Sequence, residues 1–147
     1  MIEIKKLNPD ESGLALELIA MFGFDDEAGN RQFSSAEYVS QMLKRNDFHV
    51  VVALDAGKLV GGLTAYEMQM FKSRTTEMFL YEIEVAEAYR QKGIGKSLIE
   101  FLKQVCVEKG IVVMFVGTEK DNFPARRLYV STGGEADENS VWFNYLF

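Results

Sequence analysis

Two segments carry side chains at spacings that could do chemistry. The first runs Tyr81-Glu82-Ile83-Glu84-Val85 and, after a short polar stretch, Arg90-Gln91-Lys92-Gly93-Ile94-Gly95-Lys96-Ser97. It reads as a strand bearing carboxylates, a glycine corner and the start of an amphipathic helix. Successive N–H groups at a helix N-terminus converge on one point, the helix dipole adds partial positive charge there, and glycines let a pyrophosphate approach the main chain. Arg90, Lys92 and Lys96 can add side-chain charge. The plainer reading is a strand-to-helix turn with solvated basic residues. Gly95-Lys96-Ser97 also matches the end of a nucleotide-binding P-loop, but that pattern needs glycine at position 90, where Arg90 stands. The strand before it, rich in Tyr and Glu, follows a hairpin instead of opening a βαβ unit.

The second segment is Asn122-x-x-Ala125-x-x-x-Tyr129-x-x-x-Gly133, whose spacings of three and four put Asn122, Ala125 and Tyr129 on one face of a helix. Glu82 and Glu84 flank Ile83, so strict alternation puts both on one face of the strand, and a bulge could separate them.

Together the two segments resemble the GNAT superfamily of N-acetyltransferases, and the order of elements agrees over essentially the whole chain. The resemblance implies that the acetyl-CoA pyrophosphate sits on Arg90, Gln91, Lys92, Gly93, Ile94 and Gly95, with Lys96 and Ser97 opening the helix, and that Asn122, Ala125 and Tyr129 lie beside the cofactor. It implies further that main-chain N–H groups of Ile83, Glu84 and Val85 hold the acetyl or pantetheine carbonyl. Amide formation from a thioester needs a neutral amine, a stabilised oxyanion and a proton for the departing thiolate. Glu82, three places before Val85, is the expected acceptor of the ammonium proton. Tyr129 is the expected acid. Where the family commonly has Gly-Phe after the tyrosine helix, this chain has Gly133-Gly134.

A closer resemblance, to the aminoglycoside 3-N-acetyltransferases, runs through Met21-Phe22-Gly23, the acidic loop with Tyr38 and Leu43 after it, Val60 to Tyr66, Tyr81-Glu82, and Pro124-Ala125 with Leu128-Tyr129. Those enzymes tend to have Asp where this chain has Glu82 and Asn144. The resemblance points to Tyr66, Tyr81, Glu82 and Asn144 as substrate contacts. Asp25, Asp26 and Glu27 would add a negative loop attractive to a small polycation, although a solvated acidic loop is equally compatible. The expected reaction is acetyl transfer from acetyl-CoA to an amine of a small cationic substrate, an aminoglycoside first. A polyamine or a protein amine is the alternative acceptor, and a non-catalytic acyl-CoA sensor is a reading of another class.

These sites need elements to position them. Ile2 and Ile4 predict a short strand, Asn8-Pro9-Asp10 a turn and cap, and Glu11 to Phe22 an amphipathic helix. Gly23 to Asn30 form an acidic loop, and a second helix runs from Ser34 to about Lys44, with Ser34 and Glu37 as a capping box. Phe48–Leu54 and Lys58–Tyr66 read as a hairpin around Asp55-Ala56-Gly57. A strand from Glu77 to Val85, a helix from near Gly93 to Gly110, a strand Ile111–Val116, a helix Pro124–Ser131 and an aromatic strand Val141–Phe147 follow. Gly61-Gly62 inside a strand allows a bulge or close approach of another backbone. The fold expected is α/β (α+β), one domain over residues 1–147, with a mixed central sheet flanked by helices on both faces.

Composition agrees. The chain has 147 residues, is 48% hydrophobic and contains only two prolines, which suits one folded domain. A net charge of −6 disfavours nucleic-acid binding, since phosphate backbones need clustered Lys and Arg. Cys106, the only cysteine, rules out an intramolecular disulfide and thiolate metal clusters. His49, the only histidine, has no acid partner nearby in sequence, and no metal-ligand spacing occurs. No signal or membrane-spanning run is present, so a cytoplasmic location is expected. The aromatic C-terminal strand could supply a homodimer interface or be buried within the monomer.

Overall fold

A computed structural model describes residues 1–23 and 33–147. Five strands form one sheet in chain order: β1 (Ile2–Lys6), β2 (Phe48–Asp55), β3 (Lys58–Gln69), β4 (Thr76–Val85) and β5 (Val113–Val116). The first four pair antiparallel and β5 joins β4 in parallel. Helices α1 (Ser12–Phe22) and α2 (Ala36–Leu43) cover one face; α3 (Ile94–Lys109) covers the other, with α4 (Phe123–Ser131) against α3. This is the mixed, two-sided architecture expected.

β2 shows why both faces are covered. Its side chains alternate in direction, and nearly all are apolar. Val51 and Ala53 enter a core with Leu98, Ile99, Leu102 and Cys106 of α3, while Val50, Val52 and Leu54 enter a second core with Leu18 of α1 and Val39 and Leu43 of α2. Gly62 of β3 is where α1 approaches the sheet: a Cβ there would stand 2.8 Å from Leu18 Cδ1 and 3.0 Å from the Val51 carbonyl oxygen.

Local signals set most boundaries. Ala56 and Gly57, at φ 49° and 82°, make the two-residue link between β2 and β3. Asp55 therefore ends β2 instead of entering the turn. The α2 cap is Ser35, whose Oγ accepts from the Tyr38 N–H at 3.2 Å, and not Ser34. Ser35 has the extended backbone of a cap immediately before the first helical residue, Ala36.

The expected C-terminal strand is absent. Residues 141–147 pair with no strand among the described residues, and Val141, Trp142, Phe143, Tyr145, Leu146 and Phe147 are 62–115% exposed. Their composition is that of a strand, but a strand exists only beside a second backbone, and among the described residues the chain supplies none. Asn144 stands in this exposed tail. The acidic residues Asp25, Asp26 and Glu27 lie outside the described residues.

His49 does have an acid partner, supplied by the neighbouring strand. Buried at 1% exposure, its Nε2 lies 2.5 Å from Glu67 Oε2 and its Nδ1 2.8 Å from Lys6 Nζ. Lys109, at the end of α3, donates to the same Glu67 oxygen at 2.5 Å. An ammonium can only donate, so Nδ1 accepts from Lys6 and the ring proton sits on Nε2, donated to Glu67. Burial holds His49 below its ordinary pKa in spite of Glu67. Burial alone would raise the Glu67 carboxyl, but the bonds from Lys109 and His49 outweigh it and leave it lowered. The group ties β1, β2 and β3 to the C-terminal end of α3. No helix among the described residues is long and apolar enough to cross a membrane.

Candidate functional site

The site is built where β4 loses a neighbour. β5 pairs with β4 only from Glu77 to Leu80, whereas β3 stays paired through Val85. Along Tyr81–Val85 the backbone groups directed away from β3 therefore have no β5 strand beside them, an open edge inside the sheet. An extended ligand bearing amides can pair there, at the positions Ile83, Glu84 and Val85 singled out by sequence.

One extra residue re-aims the side chains on this segment. Thr64 is opposite Glu82 and Ala65 opposite Leu80, so Tyr81 is a bulge. Before it, Met78 and Leu80 face the α3 core; after it, Ile83 and Val85 do. Tyr81, Glu82 and Glu84 consequently project to the face of α1 and α2. Glu82 and Glu84 share that face.

On it runs a line of rings. Phe48 of β2 meets Tyr66 of β3 at 4.9 Å, Tyr66 meets Tyr81 at 5.9 Å, Tyr81 meets Phe79 at 5.4 Å, and Phe79 stacks on Phe115 of β5 at 4.8 Å. The middle of this line, where Tyr81 is exposed, brings Tyr66, Tyr81 and Glu82 together. Burial raises the Tyr66 hydroxyl, with further contributions from Tyr81, Tyr38 and Glu82. Glu82 is exposed at its surface, yet desolvation by the surrounding protein raises its carboxyl above the ordinary range. A raised carboxylate beside phenols suits a group that must take a proton near neutral pH. Tyr38, at the start of α2 and exposed, belongs to this cluster. It entered the sequence reading only through a resemblance, because a helix and a strand far apart in the chain give no local signal of meeting.

The glycine corner lies at the other end of the open edge. After a short 3-10 turn (Glu87–Tyr89), Gln91 and Gly93 take the left-handed region at φ 60° and 81°, and α3 begins at Ile94. The first helical hydrogen bond runs from the Ser97 N–H to the Gly93 carbonyl at 3.0 Å, so the N–H groups of Ile94, Gly95 and Lys96 have no intrahelical acceptor. No side chain caps them, and the space beyond Gly93 is open. This is a fitting cradle for a diphosphate.

Arg90 is bonded to the end of β4. Its Nε donates to the Val85 carbonyl at 2.9 Å and its Nη2 to Glu84 Oε1 at 3.0 Å. It staples the corner to the end of β4, and Glu84 is the other half of that staple. Tyr89 reinforces the turn by donating to Asp55 Oδ2 at 2.9 Å, with Lys92 Nζ 5.5 Å from its ring centre.

Helix α4 closes the third side. Asn122 is its cap, accepting from the Ala125 N–H at 3.2 Å, and Tyr129 packs two turns on against the α3 core. Burial raises the Tyr129 hydroxyl, so it keeps its proton at neutral pH. Gly134 sits where a Cβ would be 2.9 Å from the Tyr129 carbonyl oxygen, and its N–H donates to that oxygen at 2.8 Å. Gly133-Gly134 thus seats the tyrosine turn. Gly95 serves packing as well as the cradle, since a Cβ there would be 3.1 Å from Leu128 Cδ2. Gly95→Val is expected to push α4 from α3, costing about 1–3 kcal/mol, and to weaken coenzyme A binding at least about tenfold. Urea titration and calorimetry would measure the two. Unchanged affinity would remove this turn from the cradle.

Comparison with known proteins follows the same lines. The model of the acetyltransferase (GNAT) family matches residues 16–133. An uncharacterized N-acetyltransferase from Archaeoglobus fulgidus is 29% identical over 111 residues, 74% of this chain and 75% of that protein. An aminoglycoside acetyltransferase, meta-AAC0020, from an uncultured soil metagenomic sample was crystallised in complex with sisomicin. Its structure superimposes with a TM-score of 0.89 at 32% identity, covering 99% of this chain and 96% of that one. A second aminoglycoside acetyltransferase from such a sample, HMB0005, gives 0.88 at 32% identity over 100% and 99%.

Proposed function

The chain belongs to the acetyltransferase (GNAT) family and is an acetyl-CoA-dependent N-acetyltransferase, and from that premise we propose that its acceptor is an aminoglycoside, acetylated on the 3-amino group. The observation carrying this reading is the Tyr66–Tyr81–Glu82 face, in a chain similar along nearly its whole length to an aminoglycoside acetyltransferase crystallised with sisomicin. Aromatic rings beside a carboxylate suit a polyhydroxylated cation, which presents C–H faces to the rings and ammonium groups to the acid.

Acetyl-CoA supplies the thioester carbonyl. The open edge of β4 at Ile83–Val85 would hold its amides, the Ile94–Lys96 amides its diphosphate, and Asn122 and Ala125 would flank it. Glu82 draws in the substrate ammonium and takes its proton, directly or through a water, freeing the nitrogen lone pair. As the C–N bond forms and the C–S bond breaks, Tyr129 gives its proton to the leaving sulfur. Glu82 releases the first proton to solvent, and the second proton lost by the new amide nitrogen returns through water to the Tyr129 phenolate, so each turnover yields the amide, the free thiol and one net proton.

The test follows free thiol release from acetyl-CoA with a panel of aminoglycosides, polyamines and basic peptides, and locates the acetyl group on the product. Turnover confined to polyamines or peptides would overturn the acceptor assignment; acetylation at another amine would overturn the position. Tyr129→Phe is expected to lower kcat about tenfold to a hundredfold with coenzyme A affinity kept. A wild-type rate would mean that solvent protonates the thiolate.

A further inference from the structure

The polar group at the C-terminal end of α3 holds a second reactive arrangement, which acetyl transfer at Glu82 does not use. Lys6 of β1, His49 of β2 and Glu67 of β3 project to the face that α3 covers, since Ile4, Val51 and Ala65, each two residues away on the same strands, pack in the α3 core. Their polar atoms form a chain. Lys6 Nζ lies 2.8 Å from His49 Nδ1, and His49 Nε2 lies 2.5 Å from Glu67 Oε2. A nucleophile within reach of a base, with that base oriented by a third group, is the arrangement that activates an otherwise weak nucleophile.

Access differs along this chain. His49 is buried, whereas Lys6 is exposed, so a dissolved reagent meets the amine and not the imidazole. Desolvation by the surrounding protein, helped by the Lys109 ammonium, holds Lys6 below its ordinary pKa in spite of Glu67, and a larger share of it is free amine than of a solvated lysine. The transferase site of the same chain is out of reach. Glu82 projects to the opposite face of the sheet, and the cradle lies at the other end of α3, whose 16 residues span about 24 Å.

We propose that Lys6 is a covalent modification site, taking an acetyl group from the thioester of acetyl-CoA in solution with His49 as its base and Glu67 behind the imidazole. The Lys6 ammonium first loses one proton to solvent. The free amine then attacks the thioester carbonyl, and as the C–N bond forms the surplus proton on nitrogen passes to His49 Nδ1 while Glu67 steadies the imidazolium through Nε2. The C–S bond breaks and the thiolate takes that proton from His49 through water. Nδ1 is then free to accept from the N–H of the new amide. Lys6 ammonium and thioester thus become one amide, one free thiol and one proton in solution. The modification cancels a positive charge in the group that ties β1 to the end of α3, and it needs no acceptor amine at Glu82.

The full chain is incubated with acetyl-CoA alone, without any acceptor amine, and digested at intervals, and peptide mass spectrometry gives the rate of acetylation at each lysine. Lys6 should be modified at least about tenfold faster than the exposed Lys58 and Lys120. Equal rates in the wild type overturn the proposal, and that comparison needs no variant. His49→Gln should bring Lys6 down to the rate of Lys58, which serves as a reference within each molecule against any general loosening of the fold. A Lys6 rate kept in His49→Gln would overturn the role of the imidazole. Dilution separates the remaining alternative: the rate at Lys6 should be independent of protein concentration, and a rate that rises with it would mean that the transferase site of another copy does the acetylation and that the Lys6–His49–Glu67 chain does not.

Discussion

Glu82→Gln is expected to lower kcat by about a hundredfold to ten-thousandfold, the usual worth of a positioned proton acceptor. Coenzyme A affinity should stay unchanged, because Glu82 projects to the ring-lined face of β4 and the cradle lies at the start of α3. The amide keeps the size and polarity of the side chain and removes only its charge and basicity. The pH profile gives an independent reading. Desolvation raises the Glu82 carboxyl, so it is protonated, and useless as a base, up to a higher pH than an ordinary carboxylate near about 4.3. Wild-type kcat/KM should therefore climb with pH along a limb displaced upward from that value, and the limb should vanish in Glu82→Gln. Initial rates of thiol release across the acid range measure both. A variant within twofold of wild type that keeps the limb would take Glu82 out of the reaction.

The second large effect falls on stability, at the opposite end of α3. Glu67→Ala should destabilise the fold by about 2–4 kcal/mol, since it removes the one acceptor facing the His49 Nε2–H and the anion between two ammonium groups. Glu67→Gln keeps an oxygen for His49 and should cost clearly less. Urea unfolding of the three proteins separates them, and equal midpoints would mean that the cluster relaxes freely. The cluster also fixes a pH dependence. The folded state holds His49 below its ordinary pKa, so the unfolded chain takes up this proton first as pH falls. The His49 contribution to stability should be level above about pH 6.5 and decline below it. A further loss follows when the lowered Glu67 carboxyl is protonated. His49→Gln should flatten the decline that begins near about pH 6.5 and leave the more acidic one.

Much of this was readable in the residues. The glycine corner, the Asn122–Tyr129 helix and the order of strands and helices follow from local periodicity and capping, which need only a few neighbouring residues to express themselves. Ser35 instead of Ser34 at the α2 cap is a one-residue miss of the kind adjacent identical side chains invite. The larger departures are non-local. The motif gives Arg90 its place at the corner, but the bond from its guanidinium to the Val85 carbonyl depends on how the corner folds over β4. His49 lacked an acid in sequence because Glu67 reaches it across the β2–β3 pairing. The aromatic tail has the composition of a strand, but composition does not supply the neighbouring backbone that a strand needs.

The bulge at Tyr81 gives β4 the character of a reading frame. Upstream of it even-numbered residues face α3, downstream odd-numbered ones do. Exchanging the side chain at position 81 leaves that frame intact, so many substitutions there should still fold. Losing the residue altogether would close the bulge into regular pairing, with Leu80, Ile83 and Val85 still toward α3 and Glu82 and Glu84 still on the opposite face. The extra residue therefore does not serve the core, which either frame fills equally; what it adds is the Tyr81 ring beside Tyr66 on the substrate face.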